Sequence, residues 1–336
     1  MWTKSPSTVV GKTTTSVVLA VLCVSDLLPK FLPPETGSNH LEATDVKHKH
    51  VRKIKDTSRF DIDNLQEYCL SILIGTHDLQ LCVTDTRKNR VLLLEDFILQ
   101  GADSPESHLA AIQGVYESHH LLNAAFWQEI KVGFKNRQFS LAPTTLFEES
   151  QKELYLQMNA EFAADTEQAL VYHHHKGDIS TVYAAPNYLV SYLKEKYPNG
   201  NLKLYHHCNS ILEGLLKYQA PPREKVAYLF IDRFFLHLAV TKEDSLLYFN
   251  TFPIRKSDDY VNNLVRVMQA QDMNIKTGKV ALLGFIRPQS KHYEFLHKYI
   301  PNLGFGHRNK GLKLSYDFDE VGEHQYFDLL TLYLCA

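Results

Sequence analysis

The side chains most able to do chemistry are grouped histidines and a cysteine, because imidazole and thiolate bind metals and move protons near neutral pH. His206-His207-Cys208 stands between a strand signal and a helix signal. A thiol at a helix start can have a depressed pKa, and by composition this triplet is a metal or thiol candidate. Its spacing matches no standard zinc pattern, so a packed strand end is the preferred reading. In His173-His174-His175, neighbouring residues of a strand point to opposite sides. Only His173 and His175 could then share a metal, and the run is read as an exposed hairpin. His119-His120 closes a helix signal and can complement its dipole. The acidic pairs Asp61 and Asp63, and Asp258 and Asp259, suit turn and helix-cap duties better than acid–base work. Gly304–Lys313 (GFGHRNKGLK) is a basic loop that could meet a partner or an anion, and is read as solvated. Gly11-Lys12-Thr13 fails as a phosphate loop, since the glycine needed five residues earlier is Pro6. No G-x-S-x-G, H-E-x-x-H or G-x-G-x-x-G motif occurs.

Composition narrows the class. The 336 residues suffice for two ordinary domains, and 44% hydrophobic with 22% charged residues fits a globular chain. A formal net charge of −2 argues against nucleic acid as a partner. The five cysteines form no C-x-x-C pair and read as buried free thiols of a reducing, cytoplasmic setting.

The elements that must position any site show a repeat. Leu70–Ile74, Leu79–Val83 and Val91–Phe97 are three strand signals separated by turn residues. A helix follows, with Asp103 or Ser104 as cap and Pro105 in its first turn. The same order returns as Val226–Ile231, Phe235–Val240 and Leu246–Phe252. Next comes a helix capped by Ser257, with the stripe Val261, Leu264, Val265, Met268. Each β-β-β-α unit continues into further strands and helices. They include strands at Ser180–Ala184, Leu202–His206 and Val280–Leu283, and a last helix at Tyr326–Leu334. The expected class is α/β, with mixed sheets covered by helices on both faces. Residues 1–56 read as a non-conforming extension without order. Within it, Thr13–Val24 is an apolar run too short to span a bilayer, and His40–Lys55 is a polar linker. Ala220-Pro221-Pro222-Arg223 marks the expected boundary between a first lobe, 57–220, and a second, 221–336.

A strand triplet followed by a helix, occurring twice, resembles the ribonuclease H-like lobes of the actin, sugar kinase and heat-shock chaperone superfamily. More narrowly, Leu70–Phe97, Leu141–Glu148, Tyr183–Tyr218 and Ala227–Phe252 resemble a Bacteroidetes family of unknown function with an actin-like ATPase fold. Active members of the superfamily hold ATP between lobes on two hairpin turns, Asp-x-Gly-Ser/Thr and Asp-x-Gly-Gly-Gly-Thr, with a Gly-Gly turn for the adenosine. Here the first turn reads Leu73-Ile74-Gly75-Thr76, and keeps the glycine and threonine but not the carboxylate. The second reads Asp232-Arg233-Phe234-Phe235, and keeps the carboxylate but not the glycines. Leu283-Gly284-Phe285 keeps one glycine of the third. The resemblance thus implies a degenerate nucleotide site. Its expected occupant is no cofactor, and Gly75, Thr76, Asp232 and Gly284 would line the cleft only if ATP and Mg²⁺ bind after all. The reading is a non-catalytic, partner-binding or scaffold protein with an unidentified protein partner and no membrane span. The alternative is an ATPase or switch with divergent phosphate loops.

Overall fold

A computed structural model describes residues 48–199, 201–217 and 223–336. The apolar run Thr13–Val24, the Gly11-Lys12-Thr13 segment and the boundary residues Ala220, Pro221 and Pro222 lie outside them.

The chain opens with β1 (His48–Lys55), β2 (Tyr68–Gly75), β3 (Asp78–Asp85) and β4 (Arg90–Leu99), then α1 (Pro105–Ser118) and β5 (Glu129–Lys135). Ser104 starts α1: its hydroxyl accepts from the N–H of Ser107, and the Ser107 hydroxyl accepts from the N–H of Ser104. An insertion follows, of β6 (Phe139–Pro143), α2 (Lys152–Gln157), β7 (Glu167–His173) and β8 (Ile179–Pro186). Next come α3 (Asn187–Lys196), β9 (Leu202–His206) and α4 (His207–Lys217). The second lobe runs through β10 (Val226–Ile231), β11 (Phe235–Lys242), β12 (Ser245–Pro253), α5 (Asp258–Ala270), β13 (Lys279–Gly284), α6 (Lys291–Tyr299), β14 (Leu303–Phe305) and α7 (Phe327–Thr331). Ser257 makes no capping hydrogen bond to α5, contrary to expectation. Its backbone is already helical, and Asp259 accepts instead from the N–H groups of Arg255 and Lys256.

Pairing makes the duplication explicit. The first lobe orders its strands β1-β4-β3-β2-β5-β9 and the second β12-β11-β10-β13-β14. In both, an antiparallel triplet is extended by two strands parallel to its first member. All eight residues of β2 are buried, as a central strand covered on both faces must be. The strand β10 divides its alternating residues between two cores. Ala227, Leu229 and Ile231 pack with α5 and α6, while Tyr228 and Phe230 join the larger cluster of the first lobe. The inserted strands form a separate antiparallel sheet, β6-β8-β7, over a small core of Leu156, Ala169, Val182 and Ala184.

Two features depart from the sequence reading. His48–Lys55, expected as linker, is the edge strand β1, antiparallel to β4. It shows no apolar period because backbone pairing and the ion pairs of His50 (3.1 Å) and Lys53 (3.0 Å) with Glu95 hold it. The end of the chain returns to the first lobe: Phe327, Leu329, Leu330 and Leu332 join its core beside α4, and the buried Lys131 donates to the carbonyls of Tyr333 (2.9 Å) and Cys335. The expected helix over Tyr326–Leu334 is α7 followed by one 3₁₀ turn at Leu332–Leu334.

Candidate functional site

The duplicated topology brings the ends of β2 and β10, and the turns that follow them, together across an inter-lobe cleft. The first turn is Gly75-Thr76-His77 and the second Asp232-Arg233-Phe234. A cavity of about 220 Å³ lies between them, walled by Thr76, His77, Asp78, Lys135, Phe234 and Phe235. A second cavity, about 250 Å³, sits behind the Gly75–Thr76 turn beside Ser104, His108 and Tyr188. His108 fixes that turn by donating from Nε2 to the Gly75 carbonyl (2.9 Å) while Nδ1 meets the Tyr188 hydroxyl (2.8 Å).

Gly75, Thr76 and Asp232 therefore share one cavity, whereas Gly284 stands behind it. Gly284 pairs in register with Ile231 and has φ +87°, the left-handed region that a side chain disfavours. A Cβ there would lie 2.2 Å from the Ile231 carbonyl oxygen. The close approach lets Phe285 N–H donate to that oxygen (2.7 Å) and so fixes the end of β10 just before Asp232. Gly284→Ala is expected to destabilise the protein by about 1–3 kcal/mol through backbone strain, read as a lower urea midpoint at unchanged slope.

Apart from Asp232, the charged side chains that fill the cleft are the part sequence reasoning missed. Lys135, at the end of β5, is 4% exposed and donates to Asp78 (2.7 Å) and Asp232 (3.0 Å), which are 0% and 4% exposed. Arg233 reaches from the second lobe to Asp78 (3.2 Å) and forks onto Asp96, its Nη1 to Oδ1 at 2.9 Å and its Nη2 to Oδ2. The Tyr326 hydroxyl donates to Asp96 (2.9 Å), and the Arg233 guanidinium lies 4.4 Å from the Phe285 ring centre. Every one of these ion pairs joins a residue of the second lobe, or Lys135 facing it, to a carboxylate of the cleft. Burial works to discharge Lys135, but Asp232, Asp78 and Asp328 outweigh it and hold its pKa above the ordinary lysine value. Asp328, fully buried, has its pKa pushed up to about 7, first by burial and then by Asp232 and Asp78, against the opposing pull of Lys135.

The histidines lie next to this network but serve as packing. His206, His207 and His237 are buried side by side, the first two rings tilted at 4.4 Å and the last two edge to face at 4.7 Å between centroids. Burial, reinforced by their mutual charge repulsion, holds all three well below the usual histidine pKa, so they are neutral. His206 donates from Nε2 to the Asn136 carbonyl (3.2 Å) and accepts at Nδ1 from the Cys208 thiol (2.8 Å). Cys208 is packed, as the preferred reading had it, and the alternative of a lowered thiol pKa fails: burial pushes the thiol well up, and Cys335 adds to it. The exposed-hairpin reading fails at His174, which is buried between Glu213 (3.1 Å) and Thr181 (2.8 Å). Among the described residues no group of three or more His, Cys, Asp or Glu is arranged to hold a metal, and the four described cysteines form no disulfide. In the basic loop, His307 pairs with Glu323 (2.5 Å) and the backbone of Lys313 bridges to Asn89 and Val91 of the first lobe.

A family model described as "Protein of unknown function (DUF3822)" matches residues 57–303. The chain belongs to this family. Among solved structures, the DUF3822 chain is similar to a Bacteroides thetaiotaomicron protein described as having an actin-like ATPase fold and unknown function. They share 17% identity at a TM-score of 0.69, over 83% of this chain and 100% of that one. It is also similar to a chain of a PilM-PilN type IV pilus biogenesis complex, at 16% identity and a TM-score of 0.52, over 79% and 97% of the two chains. No curated protein matches it. The fold is thus the actin-like ATPase fold, as the matching topology of its two larger sheets indicates. Among the described residues no helix is long and apolar enough to cross a membrane.

Proposed function

We propose that this DUF3822 protein is a non-catalytic, partner-binding member of the actin-like fold, its cleft held by its own ion pairs in place of a nucleotide. The observation that carries this reading is the buried Lys135, paired with Asp78 and Asp232 between the two turns. Lys135 is the cation of the cavity wall, and it is already engaged. A phosphate that drew it away would leave two buried carboxylates facing an anion, the costliest arrangement in such a site. The second turn offers little in return. No residue from Asp232 to Phe235 has a positive φ, and the Asp232 N–H already donates to the Phe235 carbonyl (2.9 Å). Glycine turns cradle phosphate by presenting free N–H groups, and here the Asp232 N–H is turned inward to the strand instead. The similarity to a chain of the PilM-PilN complex supports a protein partner, as an analogy of fold.

The test is thermal unfolding of the full chain with and without millimolar Mg-ATP, Mg-ADP or Mg-GTP. The expected result is no change in Tm. A ligand at a hundred times its Kd adds about 2.7 kcal/mol, a rise of several degrees for a chain of this size. Such a rise, lost in Asp232→Ala, overturns the reading in favour of a nucleotide switch.

A further inference from the structure

We propose that the cavity between the two cleft turns binds an organic cation, an alkylammonium or guanidinium group on an apolar stem. The unpaired atoms come first. Asp78, Asp96 and Asp232 are ion-paired with Lys135 and Arg233, and Arg52, opposite Asp96 in register, adds a third cation on the Asp96 side, near Tyr326. Both oxygens of Asp96 are bonded, but Asp78 Oδ1 and Asp232 Oδ2 are buried without a hydrogen-bond partner. Those two residues are the ones that line the cavity. A carboxylate oxygen buried and unpaired is costly, and a donor brought to it recovers that cost. Glycine at 75 keeps the space: a Cβ there would sit 2.3 Å from Asp78 Oδ1.

The walls decide what kind of cation fits. Phe234, Phe235 and His77 surround the mouth, with the His77 and Phe234 rings 5.3 Å apart. Aromatic faces attract an organic ammonium and accommodate its methylenes. Magnesium fits poorly, since it demands near-octahedral oxygen ligands and keeps several waters, and the described residues group no three acidic or histidine ligands around the cavity. At about 220 Å³ the cavity is smaller than the usual pocket for a drug-sized ligand and suits a side-chain-sized amine. Such a group could come from a free polyamine or from a lysine or arginine of a protein partner. The second source would rest on the scaffold reading, the first would not. Phe234, 38% exposed, forms the outer wall and can be removed without opening the core.

The experiment is thermal unfolding of the full chain in n-butylammonium chloride, spermidine and N-acetyl-lysine amide. Sodium chloride at equal ionic strength, n-butanol and magnesium chloride serve as controls. The expected result is a Tm rise of about 2 °C or more with butylammonium over the sodium control, absent with butanol, and at least halved in Phe234→Ala. A larger effect of spermidine assigns the site to a free polyamine, and a larger effect of the blocked lysine to a partner's side chain. No rise beyond sodium chloride, an equal rise with magnesium or butanol, or an undiminished rise in Phe234→Ala overturns the proposal. None of these outcomes depends on the response to Mg-ATP, so the two readings fail separately.

Discussion

Lys135→Met is expected to destabilise the protein by about 3–5 kcal/mol, measured as a lower midpoint in urea or guanidinium unfolding. The residue's methylenes pack as well as methionine's, so the loss is electrostatic. Removing the ammonium strands Asp78 and Asp232, both almost fully buried, with no cation closer than Arg233, which reaches only Asp78. Breaking a buried pair from one side costs more than the pair itself contributes, because an uncompensated charge stays behind. The same argument predicts rescue. In Lys135→Met combined with Asp232→Asn, one stranded charge is gone and Arg233 still serves Asp78, so a substantial part of the loss should return. If the double variant is no more stable than the single one, the ion-pair account of the cleft is wrong and Lys135 matters for its packing alone.

How much of this could be seen in the sequence follows from the range of each interaction. The strand triplets were legible because strand periodicity and turn residues are local. The stripe on α5 was legible because i, i+3, i+4, i+7 spacing is local too, and Val261, Leu264 and Met268 are indeed buried. Strand β1 was not, since a polar edge strand is held by its neighbour's backbone and by Glu95 rather than by an apolar face of its own. Lys135 was not either. A lysine at the end of Glu129–Lys135 reads as a solvated strand end, and its partners lie 57 and 97 residues away in sequence. The only local signal was the carboxylate at position 78 directly after the Gly75–His77 turn, where turn chemistry explained it too cheaply. The histidine clusters divide. His206 and His207 are the packing groups the preferred reading made them, neutral because they are buried, whereas His174, read as part of an exposed hairpin, is buried by contacts with Glu213, 39 residues away, that no local pattern shows.

Asp328→Asn is expected to stabilise the protein by several kcal/mol at pH 8, and by progressively less as the pH falls. The carboxyl titrates at 3.8 in the unfolded chain and at about 7 in the folded one, where burial is the main cause and Asp232 and Asp78 add to it. Below about pH 4 both states hold the proton and nothing is lost. Between about pH 4 and 7 the unfolded chain ionises while the folded one stays protonated, so stability falls by up to roughly 1.4 kcal/mol per pH unit. Above about pH 7 both are ionised and the full cost is present. Asparagine keeps the acceptor for the Leu329 N–H, now 2.9 Å away, without the charge. Taking the difference between variant and wild type at each pH cancels groups with the opposite slope, such as Glu95 and Glu213, whose lowered pKa values favour folding as pH rises. A difference that stays flat from pH 4 to 8 would show that Asp328 is no more protonated folded than unfolded. The two cleft predictions then constrain each other. Lys135 is the one influence that pulls the Asp328 pKa down appreciably from outside its own backbone, so in Lys135→Met the upper limit of the pH dependence should move above 7. An unmoved limit would place Asp328 outside the electrostatic reach of the ion pairs that join the lobes.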